Sequence, residues 1–165
     1  MEMTMTEKRH RIMDLIAMFA PAGTKFDWDG ASRRFGRCSY SRNRITGKYH
    51  DFKISISYEL ARRNSWEVIE GVVFHEIAHA NTPGHGHDAT WRRECLRLGG
   101  DGERCYLNET MGGPVKMVPP KFIGTCPVCG RQFGRNRRSR GAYHTGCGDK
   151  YSPIIWAENK EARIV

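Results

Sequence analysis

The most constraining feature of the sequence is a short apolar segment, residues 72–80, that carries two histidines and a glutamate. It reads Val-Val-Phe-His-Glu-Ile-Ala-His-Ala and contains the pattern H-E-x-x-H, formed by His75, Glu76 and His79. On a helix, residues four positions apart lie on one face, so both imidazoles can reach one ion. The apolar flanks predict a buried helix, where such side chains are costly unless a partner satisfies them. We therefore predict a zinc site rather than packing or surface histidines.

A catalytic zinc site has three protein ligands and one position open for water, so a third ligand is required. Two histidines follow closely, His85 and His87. His85 stands at the third-ligand position of the metzincin pattern, but that pattern has glycine where this chain has Thr82. His87 directly precedes the expected cap of the next helix, on which Trp91 would pack inward. We favour His87, and the sequence leaves the choice open.

Glu76 follows the first histidine directly, which brings its carboxylate close to a water on the ion. Zinc lowers the pKa of its bound water from 15.7 to about 7, and a neighbouring carboxylate accepts the proton. We predict Glu76 as the general base. Peptide hydrolysis also needs an electrophilic group beside the oxyanion. Tyr40, Tyr49 and nearby arginines are candidates, and the sequence does not choose among them.

Hydropathy patterns predict both helices and strands. Residues 7–20 have helical spacing, and residues 52–57 alternate apolar and polar side chains as in a strand with one buried face. Residues 37–40 form a second predicted strand, with a turn between the two. Asn64, with Glu67 three positions on, predicts a capping box that opens the active-site helix. Asp88 predicts the cap of a further helix, which Gly99-Gly100 ends.

The cysteines near the C-terminus are spaced as metal ligands. Cys126 and Cys129 form C-x-x-C, and His144 and Cys147 form H-x-x-C. Two such knuckles can close a structural zinc site of the Cys3His type. The rival interpretation, a reactive dithiol, lacks the strand-helix setting of thioredoxin-like motifs. Three further cysteines stand alone and are predicted to pack as small apolar residues: Cys38, Cys95 and Cys105.

The stretch between the two knuckles is strongly basic. Residues 121–165 hold nine Lys/Arg against three Asp/Glu, so most of the net charge of +9 lies there. Arginine forks match phosphate oxygens, and Phe133 or Tyr143 could stack on a base. We favour nonspecific nucleic-acid contact over a solvated hairpin. The predicted contact residues are Arg131, Arg135, Arg137, Arg138 and Arg140.

The composition argues against a membrane protein. No stretch approaches the roughly 20 apolar residues that a membrane span needs, and the first 20 residues have scattered charges rather than the pattern of a signal peptide. We predict a cytoplasmic location, with nucleoid association open.

Several features together resemble the SprT-like (Spartan-type) metallopeptidases, in their small bacterial or phage-like form. They are the apolar H-E-I-A-H-A helix at 75–80, the His-x-x-x-aromatic element at 87–91, the strand at 54–57, and a zinc ribbon after the core. The resemblance implies a zincin-like core, His87 as third zinc ligand, and an edge strand near Ile54 and Ile56 that pairs with an extended substrate. It also implies a protease that acts near DNA, since longer members digest proteins crosslinked to DNA.

We therefore predict an α+β chain. Residues 1–115 form a zincin-like SprT-like metallopeptidase core of helices and a small mixed sheet, and residues 116–165 form a basic zinc-ribbon module with a C-terminal tail. Each part holds Zn2+, one ion catalytic and one structural. The expected partners of this monomer are a protein substrate and DNA, single-stranded or damaged, and no membrane.

Two alternative functions remain at this stage. The chain could be a nucleic-acid-binding zinc protein with an inactive or structural HExxH site, although a structural zinc has no need of Glu76. It could also be a zinc hydrolase that acts on something other than protein. An open groove beside an edge strand would favour a peptide substrate, and a closed pocket would favour a small one.

Overall fold

The computed structural model describes residues 3–104, 109–110, 113–147 and 151–163. The α+β class predicted from the sequence is confirmed. The chain divides into two compact units, Met1–Met117 and Val118–Val165. The predicted packing of Cys105 lies outside the described residues. Among the described residues, none of the helices combines the length and apolar character that crossing a bilayer requires.

The first unit combines helices with a three-stranded sheet. Its elements are α1 (Met5–Phe19), β1 (Lys25–Asp29), β2 (Gly36–Arg42), β3 (Tyr49–Ser57), α2 (Tyr58–Arg63), α3 (Trp66–Asn81), α4 (Ala89–Leu98), β4 (Glu109–Thr110) and β5 (Gly113–Pro114). The apolar side chains of α3 are buried together with those of α1, β3, α2 and α4. The largest of these fully buried side chains are Trp91, Ile12, Ile54, Ile56, Leu60, Ile69 and Ile77.

The sheet has the strand order β1-β3-β2, with β1 parallel and β2 antiparallel to β3. The hairpin of β2 and β3 matches the two predicted strands. The expectation of an edge strand at Ile54 and Ile56 is wrong, because β3 is the central strand and both side chains are fully buried. Strand β1, which the sequence analysis missed, pairs with β3 at one side. Among the described strands, β1 and β2 therefore form the two edges of this sheet.

The predicted capping role of Asn64 is also wrong. Helix α3 begins after Ser65, and Asn64 instead ends the preceding α2, where it is 2% exposed. Its side-chain amide donates to the carbonyls of Leu60 and Lys116 at 2.8 and 2.9 Å, and its Oδ1 accepts from the Lys116 amide at 2.7 Å. Asn64 thus forms hydrogen bonds with both the end of α2 and a segment distant in sequence. A buried side-chain amide needs such partners.

A buried lysine connects α1 to the same helix end. Lys8 is 2% exposed, and its Nζ donates to the carbonyls of Ala61 and Asn64 at 2.8 Å each. Unpaired carbonyls at the end of a helix attract cations. The lysine therefore holds α1 against the C-terminal end of α2.

Helix α4 begins and ends as predicted. Asp88 Oδ1 accepts from the amides of Thr90 and Trp91 at 2.9 and 3.1 Å. Gly99 ends the helix in the left-handed region at φ 102°, which glycine adopts without a steric cost. The cap matters for the site, because His87 is the residue just before it.

The second unit is built from short strands. They are β6 (Phe122–Thr125), β7 (Gln132–Arg135), β8 (Tyr143–Thr145), β9 (Tyr151–Pro153) and β10 (Ile155–Glu158), followed by a 3-10 helix at Lys160–Arg163. Strands β10, β6 and β7 form one antiparallel sheet in that order, and β8 pairs with β9 in another. The two metal-ligand knuckles lie at the ends of these strands.

Candidate metal centres

Helix α3 and the loop after it bring three histidines together. His87 Nε2 lies 3.1 Å from His75 Nε2 and 3.1 Å from His79 Nε2. In a tetrahedral zinc site, Zn–N bonds of about 2.0–2.1 Å separate ligating nitrogens by about 3.3–3.4 Å. The three imidazoles therefore have the donor type and spacing that fit one zinc ion. Three protein ligands leave a fourth position for water or substrate.

The structure places His87, not His85, in this cluster. His85 Nδ1 lies 2.8 Å from Asp88 Oδ2, and its side chain is 46% exposed. Asp88 uses its other carboxylate oxygen to cap α4. One aspartate thus holds His85 on the outside of the loop and sets the helix start that aims His87 at α3.

Trp91 packs against all three imidazoles. Its ring centroid lies 4.7 Å from that of His75, 5.2 Å from that of His79 and 4.5 Å from that of His87. The tryptophan is 1% exposed. A rigid ring in contact with each ligand limits the rotation of all three imidazoles, which agrees with the inward packing predicted for Trp91. Its position four residues after His87 was the sequence signal for this role.

Burial keeps the imidazoles neutral. Loss of hydration, together with the charges of His79 and His87, lowers the pKa of His75 to about 3, and a backbone hydrogen bond with Glu103 acts in the opposite direction. Burial and the charge of His87 lower the pKa of His79 to about 4. Burial and the charge of Arg104 also lower the pKa of His87. Neutral imidazole is the form that binds a metal ion, so the site is ready for one at neutral pH.

Glu76 lies beneath strand β2 beside the histidines. It is 6% exposed, and burial raises its pKa to about 8, while a hydrogen bond from the Cys38 backbone and the charge of Arg34 act in the opposite direction. Gly36 leaves space for this carboxylate, because a Cβ on Gly36 would lie 2.6 Å from Glu76 Oε1. The edge strand therefore fixes the orientation of the glutamate.

Two clefts meet at the histidine cluster. The larger, about 470 Å³, follows residues 36–40 of β2 and reaches His75, Glu76, His79, His87 and Arg104. The smaller, about 220 Å³, is lined by Arg33, Arg34, Phe35, Gly36, His75, Glu76, Arg104 and Met117. The centre is thus reached from two clefts, one along β2 and one beside the segment that precedes it.

Two tyrosines hold the loop that carries His87. The Tyr40 hydroxyl accepts a hydrogen bond from the Gly84 amide at 2.8 Å. Tyr49 packs so close to Gly84 that a Cβ there would overlap its hydroxyl oxygen, and Gly84 adopts φ 87°. The Tyr40 and Tyr49 rings meet edge to face with centroids 5.2 Å apart. Both were sequence candidates for oxyanion stabilisation. The structure places their hydroxyl groups at the loop, with Tyr40 also lining the larger cleft.

The second cluster joins the four residues predicted for the C-terminal knuckles. Cys126 Sγ lies 3.8 Å from Cys147 Sγ, and Cys129 Sγ lies 3.4 Å from His144 Nδ1. Zn–S bonds of about 2.3 Å separate tetrahedral sulfurs by about 3.8 Å. A backbone hydrogen bond from Cys129 is the main cause that lowers the pKa of Cys126 to about 6, which favours the ligating thiolate. These four donors fit one structural zinc ion.

Three of the five predicted contact arginines lie over aromatic rings of the second unit. Arg131 lies over Phe133 at 5.8 Å, Arg135 over Trp156 at 5.5 Å and Arg138 over Phe122 at 5.5 Å from the centroid. The other two, Arg137 and Arg140, are exposed. Trp156 on β10 and Phe133 on β7 are both paired in register with Gly124 on the central strand β6. Both rings therefore lie on the same face of the sheet. We call this set of three rings and three arginines the aromatic-arginine face.

The fold and these two clusters define an α+β protein with two candidate metal centres, one with three ligands and one with four. The SprT-like family model matches residues 7–110, and the chain belongs to the SprT-like family. The matched segment contains His75, Glu76, His79 and His87 and ends before the second unit. No curated protein and no solved structure matches the chain significantly.

Proposed function

We propose that the chain is a zinc-dependent endopeptidase that acts on proteins, with DNA-associated or DNA-crosslinked proteins as its substrates. The observation that carries the proposal is the convergence of three Nε2 atoms beside a buried glutamate in a cleft. Membership of the SprT-like family supports a metallopeptidase function. The packing of helix α3 against strand β2, with Gly36 next to Glu76, supports it further. We also propose that the protein works in the cytoplasm as a monomer.

His75, His79 and His87 would hold the catalytic zinc, which supplies a Lewis acid and a bound water of lowered pKa. Glu76 accepts the proton of the attacking water on its carboxylate and later delivers it to the leaving nitrogen. Its raised pKa in the buried site suits a group that must both take and give a proton near neutrality. The hydrogen bond from the Cys38 backbone keeps the carboxylate aimed while it does so.

Strand β2 offers a place for an extended substrate. Among the described residues it pairs with β3 on one side and with no strand on the other, and the larger cleft follows five of its consecutive residues, 36–40. An added peptide strand gains main-chain hydrogen bonds from such an edge. Two clefts that share the residues of the centre fit a polypeptide better than a small substrate. This favours an endopeptidase over a hydrolase of small molecules.

The decisive experiment measures cleavage of a DNA-binding protein, and of the enzyme itself, with and without single-stranded DNA. Glu76→Gln keeps the side-chain shape and removes the base, so we expect loss of cleavage by a factor of about 100 or more. Glu67→Gln, an exposed glutamate in the first turn of the same helix, is the matched control and keeps full activity.

DNA-dependent cleavage that disappears in Glu76→Gln would support the whole proposal. Cleavage that ignores DNA would keep the peptidase and remove the role of DNA. If neither protein is cleaved although zinc is bound at both centres, the alternative, a nucleic-acid-binding zinc protein with an inactive centre, replaces it.

We propose in addition that the second unit binds nucleic acid through the aromatic-arginine face. Aromatic rings stack on bases and guanidinium groups contact phosphates, without reading sequence. Filter binding or fluorescence anisotropy with an oligonucleotide at several salt concentrations tests this. We expect Arg135→Gln to weaken binding and flatten its salt dependence, and Lys160→Gln, in the 3-10 helix, to change both little. Equal effects of the two substitutions would contradict the role of this face.

A further inference from the structure

The two clefts beside the histidine cluster share their central residues. Gly36, His75, Glu76 and Arg104 line both of them. If a peptide bond is cleaved at Glu76, the chain on one side of that bond lies in the larger cleft and the chain on the other side lies in the smaller one. The lining of each cleft therefore contacts the side chains that flank the scissile bond.

Both clefts are lined by arginines. The larger contains Arg37 and Arg104, and the smaller contains Arg33, Arg34 and Arg104. Glu76 is the sole carboxylate among the described residues that line either cleft. All four arginines are exposed, so their guanidinium groups are accessible to a ligand.

Most of this positive charge is not neutralised by the protein. Arg34 forms an ion pair with Asp29 at 2.5 Å. In the part of the chain that the structure describes, no carboxylate other than that one lies within 4.0 Å of a cleft arginine. Guanidinium groups bind carboxylates through bidentate hydrogen bonds. A cleft lined by charges of one sign also concentrates ligands of the opposite charge.

We propose that the centre prefers peptide segments with acidic side chains on both sides of the scissile bond, held by Arg37 in the larger cleft, by Arg33 in the smaller, and by Arg104 between them. This inference rests on the proposed peptidase function and specifies its substrate. Phosphate groups of a nucleic acid have similar chemistry, but these arginines line the space along β2 that a substrate chain must occupy. The aromatic rings that we propose to stack on bases lie in the second unit instead.

Binding is measured first, with the full-length Glu76→Gln protein loaded with zinc. Fluorescently labelled peptides carry Glu, Gln or Lys at the two positions on each side of a fixed central bond. We expect the Glu peptide to bind about tenfold more tightly than its Gln analogue, the size expected when a hydrogen bond to a charged group is lost. Arg37→Gln in the same background should remove most of that difference.

The matched control is Arg44→Gln. Arg44 is an exposed arginine in the turn between β2 and β3 and lines neither cleft, so its substitution changes the net charge equally. We expect the preference for Glu over Gln to survive in this variant. If Arg44→Gln reduces the preference as much as Arg37→Gln, the effect is general electrostatic attraction and the inference is overturned.

Cleavage of the same peptides by the wild-type protein separates the inference from the function on which it rests. Cleavage of the Glu peptide with a higher kcat/KM than the Gln peptide supports both. Equal cleavage of all peptides, or a preference for Lys, keeps the peptidase and overturns the acidic preference. No cleavage of any peptide, with or without single-stranded DNA, overturns the proposed peptidase, and the preference for Glu over Gln is then decided by the binding measurements alone. If Arg37→Gln weakens the binding of an oligonucleotide but leaves the preference for Glu intact, the clefts bind nucleic acid instead and the inference is overturned.

Discussion

The two candidate metal centres differ in how much buried protein core surrounds them. Two of the three histidines of the first centre lie on α3, a helix whose apolar faces are buried in the core of the first unit. The Cys3His centre lies between short strands, and Cys126 and Ser152 are the buried non-glycine side chains among the described residues of that unit. The first centre is therefore built on an existing core, whereas the second has to act as the core. Three ligands also leave a position open for chemistry, and four do not.

The largest effect that this comparison predicts is on the second unit. Cys129→Ser removes one of four ligands, and structural zinc contributes on the order of 10 kcal/mol to folding of small domains. We expect the second unit to lose its protection against hydrogen exchange while the first unit keeps it. Mass spectrometry resolved by peptide measures both. The matched substitution His79→Ala should abolish activity and leave protection of the first unit close to wild type. Loss of hydrogen-exchange protection in both units of either variant would contradict the comparison.

A smaller effect separates the two histidines that follow α3. We expect His87→Ala to weaken zinc binding at the first centre by more than about 100-fold, because changes to groups that only orient ligands already cost about 10–100-fold. His85→Ala, which removes a partner of Asp88 outside the cluster, should leave zinc binding near wild type. Competition with a chromophoric chelator measures both affinities. Comparable losses in the two variants would show that His85 also ligates.

The smallest effect concerns the space that Gly36 leaves for Glu76. Gly36→Ala places a Cβ 2.6 Å from Glu76 Oε1, so the strand or the carboxylate must shift. We expect the free energy of unfolding to fall by about 1–3 kcal/mol, as in other overpacked sites. We also expect kcat to fall while the zinc content stays constant. Gly30→Ala is the control, since a Cβ there meets nothing within 4 Å. Thermal denaturation and single-turnover kinetics measure the two quantities.

The sequence predicted the features that depend on neighbouring residues. The H-E-x-x-H segment, the Asp88 cap and the hairpin of β2 and β3 each follow from local spacing, and the structure contains each of them. The residues of the second cluster were also chosen by spacing alone, and the structure brings them together.

Features that depend on distant contacts were missed. Strand β1 alternates charged residues with Phe26 and Trp28, and it is stabilised by parallel pairing with β3, about 28 residues further on. The role of Asn64 depends on Lys116, which no local pattern connects to it. The choice of His87 over His85, in contrast, was favoured from the sequence, because His87 stands directly before the Asp88 cap. Both histidines have suitable spacing, and the side chain of Asp88 decides which one turns toward α3.

The hydrogen bond between the Cys38 backbone and Glu76 has one more consequence. The strand that would receive the substrate also holds the base, so occupancy of the groove and orientation of the proton acceptor are mechanically linked. We expect a peptide that binds along the whole of β2 to fix the strand, and with it the carboxylate, more firmly than a short or poorly fitting peptide does. The rate of turnover would then increase with the length of β2 that the substrate covers. Long unfolded segments would be hydrolysed faster than short peptides containing the same bond.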